Sequence, residues 1–275
     1  MLRLAVRVRR DQAELVLAEL LELSPAGVEE VSLDCGLVEY AVYGAPGELP
    51  TLPDLTAASG PALVEVRTSE IADDWDSRWR SFHKAQVIDE RLSVRPPWEG
   101  PLGTEVELVI DPGQAFGTGS HATTRLCLEL MLSLPADGPF VDLGCGSGVL
   151  AIAAARLGWA PVEALDNDCA AVDAAALNAR VNGVGGSVDV RRHDLRVDPV
   201  VSAETVVANL LRPLLLAWAS RLAGVADRPE RVIAGGLLAH EADEVADAFF
   251  HVGLTESARR ASGDWAALLL EREGA

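Results

Sequence analysis

Lysine is nearly missing from this chain: of its 23 basic residues, only Lys84 is not an arginine. That scarcity bears on its most unusual loop, "DPGQAFGTGSHATT" (residues 111–124), in which three glycines and four hydroxyl residues surround an aromatic and a histidine. Gly-rich backbone at a helix start can turn N–H groups toward phosphate, but a nucleoside-triphosphate loop of the Walker type ends in Gly-Lys-Ser/Thr. Here the last glycine is followed by Ser120 and His121, and that reading is excluded. Long apolar runs are lacking too. No uncharged apolar stretch reaches the length of about 18 residues that a membrane span needs, and the opening MLRLAVRVRRDQ has no continuous apolar core of a signal peptide. The expectation is a cytoplasmic protein without a membrane partner. Cys35, Cys127, Cys145 and Cys169 lie far apart, with no spacing suited to zinc, so they read as buried free thiols and no metal is expected. Positive charge is outweighed: the formal net charge of −19 opposes direct nucleic-acid binding and suits a basic protein partner.

What is present is a globular composition, 49 % hydrophobic and 24 % charged, over 275 residues, enough for a large domain and a small one. The first part reads β-α-β-β-α-β, the ferredoxin-like order. LRLAVRVR alternates apolar residues with arginine, an amphipathic helix follows Asp11, and strands are expected at 28–33, 37–42 and 62–66, with a possible short helix around 53–58. IADDWDSRWRSFH (71–83) reads as a connecting helix carrying Trp75 and Trp79 on one face, and PPWEGPLG breaks the chain before the apolar strand VELVI. The expected boundaries are a small domain over 1–68, a linker with a connecting helix over 69–100, and a catalytic domain over 101–275. Strand and helix alternate through the last of these, which calls for a mostly parallel sheet with ligands at the carboxyl ends of its strands.

Within it, "FVDLGCGSGVLAIAAARLG" places an apolar strand and Asp142 before Gly144, Gly146, Gly148 and an Ala-rich helix. The glycines permit a tight turn with a ligand against bare backbone. At the end of the next strand, in "EALDND", Asp166 can accept both hydroxyls of a ribose, and the two features together indicate adenosine. A dinucleotide fingerprint can be forced onto Gly146, Gly148 and Ala151, but Asp142 would repel a pyrophosphate, whereas it attracts the ammonium of a methionine moiety. A Gly-rich turn serving only helix packing is the bland alternative. "RRHDLRVD" puts His193 and Asp194 after the third strand, at an adenine edge or in a solvated turn, and "VVANLLRPLL" sets Asn209 just beyond an apolar strand.

The pattern D-x-G-x-G-x-G starting at Asp142 resembles the first motif of class I S-adenosylmethionine methyltransferases. Together with "DPGQAFGTGSHATT", "ALDND", "VVANLL" and "AGGLLAHEADEV", it resembles the PrmA family of bacterial methyltransferases, which act on ribosomal protein L11 of the stalk base. The resemblance runs from about Trp75 onward; the N-terminal unit fits the family's substrate-recognition domain by pattern alone. It implies a class I α/β sheet, mostly parallel with an antiparallel last strand, a small N-terminal α+β domain, S-adenosylmethionine as cofactor, and transfer to lysine or N-terminal amines of L11; separately, a monomer is expected. It further implies that Phe116, Thr118, His121 and Thr124 line the site, with Thr124 on the methionine moiety. Gly144 and Asp166 then hold the methionine and ribose parts, and Asn209 meets the cofactor or the incoming amine. Catalytic roles are expected for Asn209, Phe116 and His121, although His121 can equally bond its own loop. The chain departs from the family at Ala122, where proline is commoner, in the loosely matching "RLSVRPPWEG", and by lacking the N-P-P-[FY] run of other amine methyltransferases after Asn209. Another acceptor, or a non-catalytic module that keeps the cofactor site, are the alternatives.

Overall fold

A computed structural model describes residues 2–13, 16–17, 20, 28–32, 36–44, 49–50, 55, 62–70, 84–111, 121–226 and 228–272. Phe116, Thr118, Trp75, Trp79 and Cys35 lie outside the described residues. The chain divides into two compact units, Met1–Phe82 and His83–Ala275.

In the first unit, β1 (Leu2–Arg9), β2 (Glu29–Ser32), β3 (Leu37–Gly44) and β4 (Leu63–Glu70) form an antiparallel sheet in the order β2-β3-β1-β4. That order requires crossovers from β1 to β2 and from β3 to β4, which is the ferredoxin-like connectivity. The alternation in LRLAVRVR has a direct cause. Leu4, Val6 and Val8 face a core with Val16, Leu20, Tyr40 and Leu55, while arginines on the other face meet acids on both neighbouring strands. Arg3 and Arg7 donate to Glu39 at 2.6 and 2.7 Å, and Arg7 also reaches Glu65 at 2.8 Å. The two guanidiniums, Arg3 first, hold the nearly buried Glu39 carboxyl below its usual range despite the cost of burial.

The second unit opens with a small sheet: β5 (Gln86–Ile88) antiparallel to β6 (Leu92–Arg95), and β6 parallel to β7 (Val106–Val109). Residues 86–95 read from the sequence as part of a connecting stretch; as strands they bury Ile88, Leu92 and Val94. After α1 (Ala122–Leu132) come β8 (Phe140–Leu143), α2 (Val149–Leu157), β9 (Val162–Asp166), α3 (Cys169–Val181) and β10 (Val188–Arg192). Then follow β11 (Thr205–Asn209), α4 (Arg212–Leu222), β12 (Arg231–Leu238), α5 (Ala242–Phe250), β13 (Leu254–Ser262) and β14 (Trp265–Arg272). The seven strands from β8 onward stand in the order β10-β9-β8-β11-β12-β14-β13, with β14 antiparallel to both neighbours. Alternate residues feed two cores. Phe140, Val207 and Ile233 pack under α1, α2 and α3, while Val141, Val206 and Val232 pack under α4 and α5. The order reverses between β8 and β11, and in such sheets ligands bind at the carboxyl ends of the strands beside that reversal. Among the cysteines, Cys127 and Cys145 are buried as expected, but Cys169 is exposed because it opens α3 on its solvent side.

Candidate functional site

The Gly-rich turn joins β8 to α2, and Gly144, Gly146 and Gly148 all hold positive φ, at 80°, 52° and 80°. Only glycine takes such a run without strain. Their bare Cα atoms also make room: a Cβ at Gly144 would collide with the Leu210 side chain, and one at Gly148 would sit 2.9 Å from the Ala175 Cβ of α3. The backbone donors of the turn are largely spent. Gly144 and Cys145 both donate to the Leu165 carbonyl, at 2.7 and 2.9 Å, Gly148 donates to the Cys145 carbonyl at 2.8 Å, and Gly146 donates to Asp166 Oδ2 at 2.9 Å. A pyrophosphate cradle needs such N–H groups free. This turn is shaped for close approach, not for phosphate.

Asp166 ends β9 beside the turn. Its Oδ1 accepts from the Asp168 N–H at 3.0 Å as its Oδ2 accepts from Gly146, and a carboxylate with about four lone-pair sites keeps capacity for two hydroxyl donors. Asp142 is different. It is fully buried, its Oδ2 accepts from the Ala151 N–H in the first turn of α2 at 3.0 Å, and its Oδ1 has no partner. Burial, with the nearby charge of Asp166 adding, pushes its carboxyl up to about 7.

The third wall comes from α1 and the ends of β11 and β12. His121 is the N-cap of α1: its Nδ1 accepts from the Thr123 N–H at 3.4 Å and pairs with the Thr123 hydroxyl at 2.8 Å, while its ring meets Trp265 edge-on at 4.9 Å. With Nδ1 acting as acceptor, the neutral ring carries its proton on Nε2, and burial lowers its basicity. One turn into α1, the buried Thr124 hydroxyl lies 3.4 Å from Asn209 Nδ2. Asn209 Oδ1 is buried with no partner. The glycine pair of "AGGLL" explains how Asn209 fits. A Cβ at Gly235 would collide with Cys127 Sγ and stand 3.0 Å from Asn209 Oδ1, and one at Gly236, whose φ is 78°, would stand 2.5 Å from the Leu210 carbonyl oxygen.

Thr124, Asp142 and Asn209 thus face one side of the sheet, with Gly144, Gly146 and Asp166 along its carboxyl edge. Asp194 stands apart in its bonding. Arg196 donates to both of its oxygens at 2.9 Å and holds its carboxyl down at about 2. Beside it, His193 is nearly buried and its N–H donates to the Asp166 carbonyl at 2.8 Å. Two contributions were not legible in the sequence: the bare Cα that Cys127 requires at Gly235 of "AGGLL", and Asn178 of α3, whose Nδ2 donates to the Ser147 carbonyl within the turn at 3.0 Å.

S-adenosylmethionine fits these residues. Asp166 would take the hydroxyls of its ribose, the buried Asp142 carboxyl, whose Oδ1 is unpaired, would attract its cationic end, and the bare glycine backbone would lie against its body. The comparisons agree. Residues 54–273 match the family model described as ribosomal protein L11 methyltransferase (PrmA). The chain is 37 % identical over 217 residues to the ribosomal protein L11 methyltransferase of Heliobacterium modesticaldum, covering 78 % of this chain and 69 % of that one. It is 41 % identical over 212 residues to the protein of the same name from Pelotomaculum thermopropionicum, covering 76 % and 69 %. Among solved structures, the ribosomal protein L11 methylase of Lactobacillus delbrueckii subsp. bulgaricus matches with a TM-score of 0.60 and 28 % identity, over 69 % of this chain and 99 % of that one. With the family model matching residues 54–273 and relatives up to 41 % identical over three quarters of its length, the chain belongs to the PrmA family of ribosomal protein L11 methyltransferases.

Proposed function

We propose that this protein transfers methyl groups from S-adenosylmethionine to amino groups of ribosomal protein L11, on lysine side chains, the N-terminal α-amine, or both. The observation that carries the reading to an amine is Asn209: its Oδ1 is a buried acceptor without a donor at the carboxyl end of β11. An unmet buried acceptor costs about 1–3 kcal/mol, which an incoming N–H would recover.

Bound at the turn, S-adenosylmethionine supplies an electrophilic methyl group on a sulfonium. The residues here have three tasks. Gly144 and Asp166 fix the donor, Asn209 orients the amine so that its lone pair faces the methyl carbon, and the buried Asp142 carboxyl draws the cationic end of the donor inward. Alignment of this kind supplies up to about 7–11 kcal/mol of a barrier. The amine must arrive neutral. At pH 7 a lysine is free base in about one molecule per 2500 and an α-amine in about one in seven, and a nearby positive charge raises both fractions. With its Nε2 protonated, His121 serves as a cap for α1 and leaves the amine's proton to solvent.

The unit Met1–Phe82 serves substrate recognition and His83–Ala275 carries catalysis. The protein acts in the cytoplasm as a monomer, on L11 and not on nucleic acid. Its net charge of −19 favours a basic partner, and among the described residues no helix is long and apolar enough to cross a membrane. The test is incubation with methyl-labelled S-adenosylmethionine and undermethylated bacterial ribosomal proteins, with the label located by gel and mass spectrometry. Label on an amine of L11 is expected; label confined to another protein would redirect the substrate, and cofactor binding without any label would refute the transfer.

A further inference from the structure

Asn178 of α3 and Asn182, the residue that caps its C-terminus, are one helical turn apart, and both are buried. Buried carboxamides need partners, and these find theirs in backbone far along the chain. Asn182 treats Val109 as a strand neighbour would: its Oδ1 accepts from the Val109 N–H at 2.8 Å, and its Nδ2 donates to the Val109 carbonyl at 2.7 Å. Asn178 joins two segments. Its Oδ1 accepts from the Asp111 N–H at 3.2 Å, just past β7, and its Nδ2 donates to the Ser147 carbonyl at 3.0 Å, inside the Gly-rich turn. The Ser147–Gly148 peptide is therefore gripped at both ends, since the Gly148 N–H is held by the Cys145 carbonyl at 2.8 Å.

We propose that Asn178 is a positioning residue for S-adenosylmethionine, fixing the Ser147–Gly148 peptide of the turn and tying it to Asp111, whereas Asn182 only anchors β7. Gly148, at a φ of 80°, lets this peptide rotate at low steric cost once its hydrogen bonds are lost. Released from Asn178, the Ser147 carbonyl can swing toward the cleft, and the loosened turn no longer holds the Gly146 N–H firmly on Asp166 Oδ2. The carboxylate that faces the ribose would lose its orientation although Asp166 itself is intact.

The inference rests on the cofactor assignment above, and the experiment separates the two. The full chain, Asn178→Ala, Asn178→Asp and Asn182→Ala are titrated with S-adenosylmethionine by calorimetry, melted, and assayed for KM and kcat. Asn178→Asp keeps an acceptor for Asp111 and replaces the donor to Ser147 by a carboxylate oxygen that repels its carbonyl; it also decides the matter if Asn178→Ala does not fold. Both Asn178 variants are expected to raise Kd and the cofactor's KM by about tenfold, with kcat within about threefold and the protein substrate's KM unchanged. Asn182→Ala is expected to lower Tm while leaving Kd within about twofold. Asn178 variants that keep the wild-type Kd, or an Asn182→Ala that weakens binding equally, would overturn the proposal alone. A wild-type chain that binds no S-adenosylmethionine would overturn the cofactor assignment and the proposal with it.

Discussion

Asp142 shows how much one buried carboxyl can cost. Its carboxyl, ordinarily near 3.8, is pushed up to about 7 in the folded protein. Between those values the folded chain keeps a proton that the unfolded chain has released, so stability falls as pH rises through the window and levels off above it. Asp142→Asn removes the charge and can keep the bond to the Ala151 N–H through its amide oxygen. The variant is expected to gain stability at pH 8, by at most roughly 4 kcal/mol, with the gain vanishing toward pH 4. Denaturation curves between these two pH values check it; a pH-independent difference would mean that the buried group does not titrate this way. Affinity for S-adenosylmethionine should fall in the same variant, because only the ionised oxygen attracts its ammonium group. That Asp142 matters was legible in D-x-G-x-G-x-G; that it is wholly inside, held by Ala151, was not. The same divide separates Asp166, whose place at a strand end follows from the pattern, from Asp194, whose carboxyl is claimed by Arg196 two residues on. Asn178 was beyond reach because its partners lie 67 and 31 positions away.

Elements were legible where their period was long and one face was buried. Strands β8, β9 and β11 and helices α2 and α3 appear where apolar spacing and glycine punctuation place them. The sheet of β5, β6 and β7 was only partly visible, because strands of three and four residues carry too few alternations to distinguish from a connector. In β12 the glycine pair has a meaning only the fold supplies. The register against β14 shifts between Ala234 and Leu237, and the bulge lets α1 and the end of β11 come close. Gly235→Ala tests this. Its methyl group would strike Cys127 Sγ, which is fully buried in α1, and crowd Asn209 Oδ1. A loss of about 1–3 kcal/mol in stability is expected, and, on the role proposed for Asn209, kcat falls more than cofactor affinity because its amide is displaced. Adding Cys127→Ala makes room for the methyl and should restore most of the stability in a double-mutant cycle. Additive effects of the two changes would show that the collision is relieved some other way.

Two units with separate cores make the molecule divisible in principle. The first unit's apolar cluster lies between Leu4 and Val66, and the two clusters of the second lie between Ile88 and Leu270. The family match begins at residue 54, so the first strands of the N-terminal unit fall outside it and their contribution has to be argued from the molecule. A methyltransferase acting on a small molecule has no need of a separate four-stranded unit, whereas one acting on a protein must distinguish a few amines among many. The residues proposed to hold the cofactor, from Thr124 to Asn209, lie in the second unit. A chain starting at His83 is therefore expected to bind S-adenosylmethionine with a Kd within about threefold of the full chain and to lose methylation of L11 almost completely. Calorimetry and label transfer measure the two quantities on one sample. Full label transfer by the shortened chain would place recognition in the catalytic unit, and loss of cofactor binding would mean that the first unit supports the fold of the second and not only its choice of substrate.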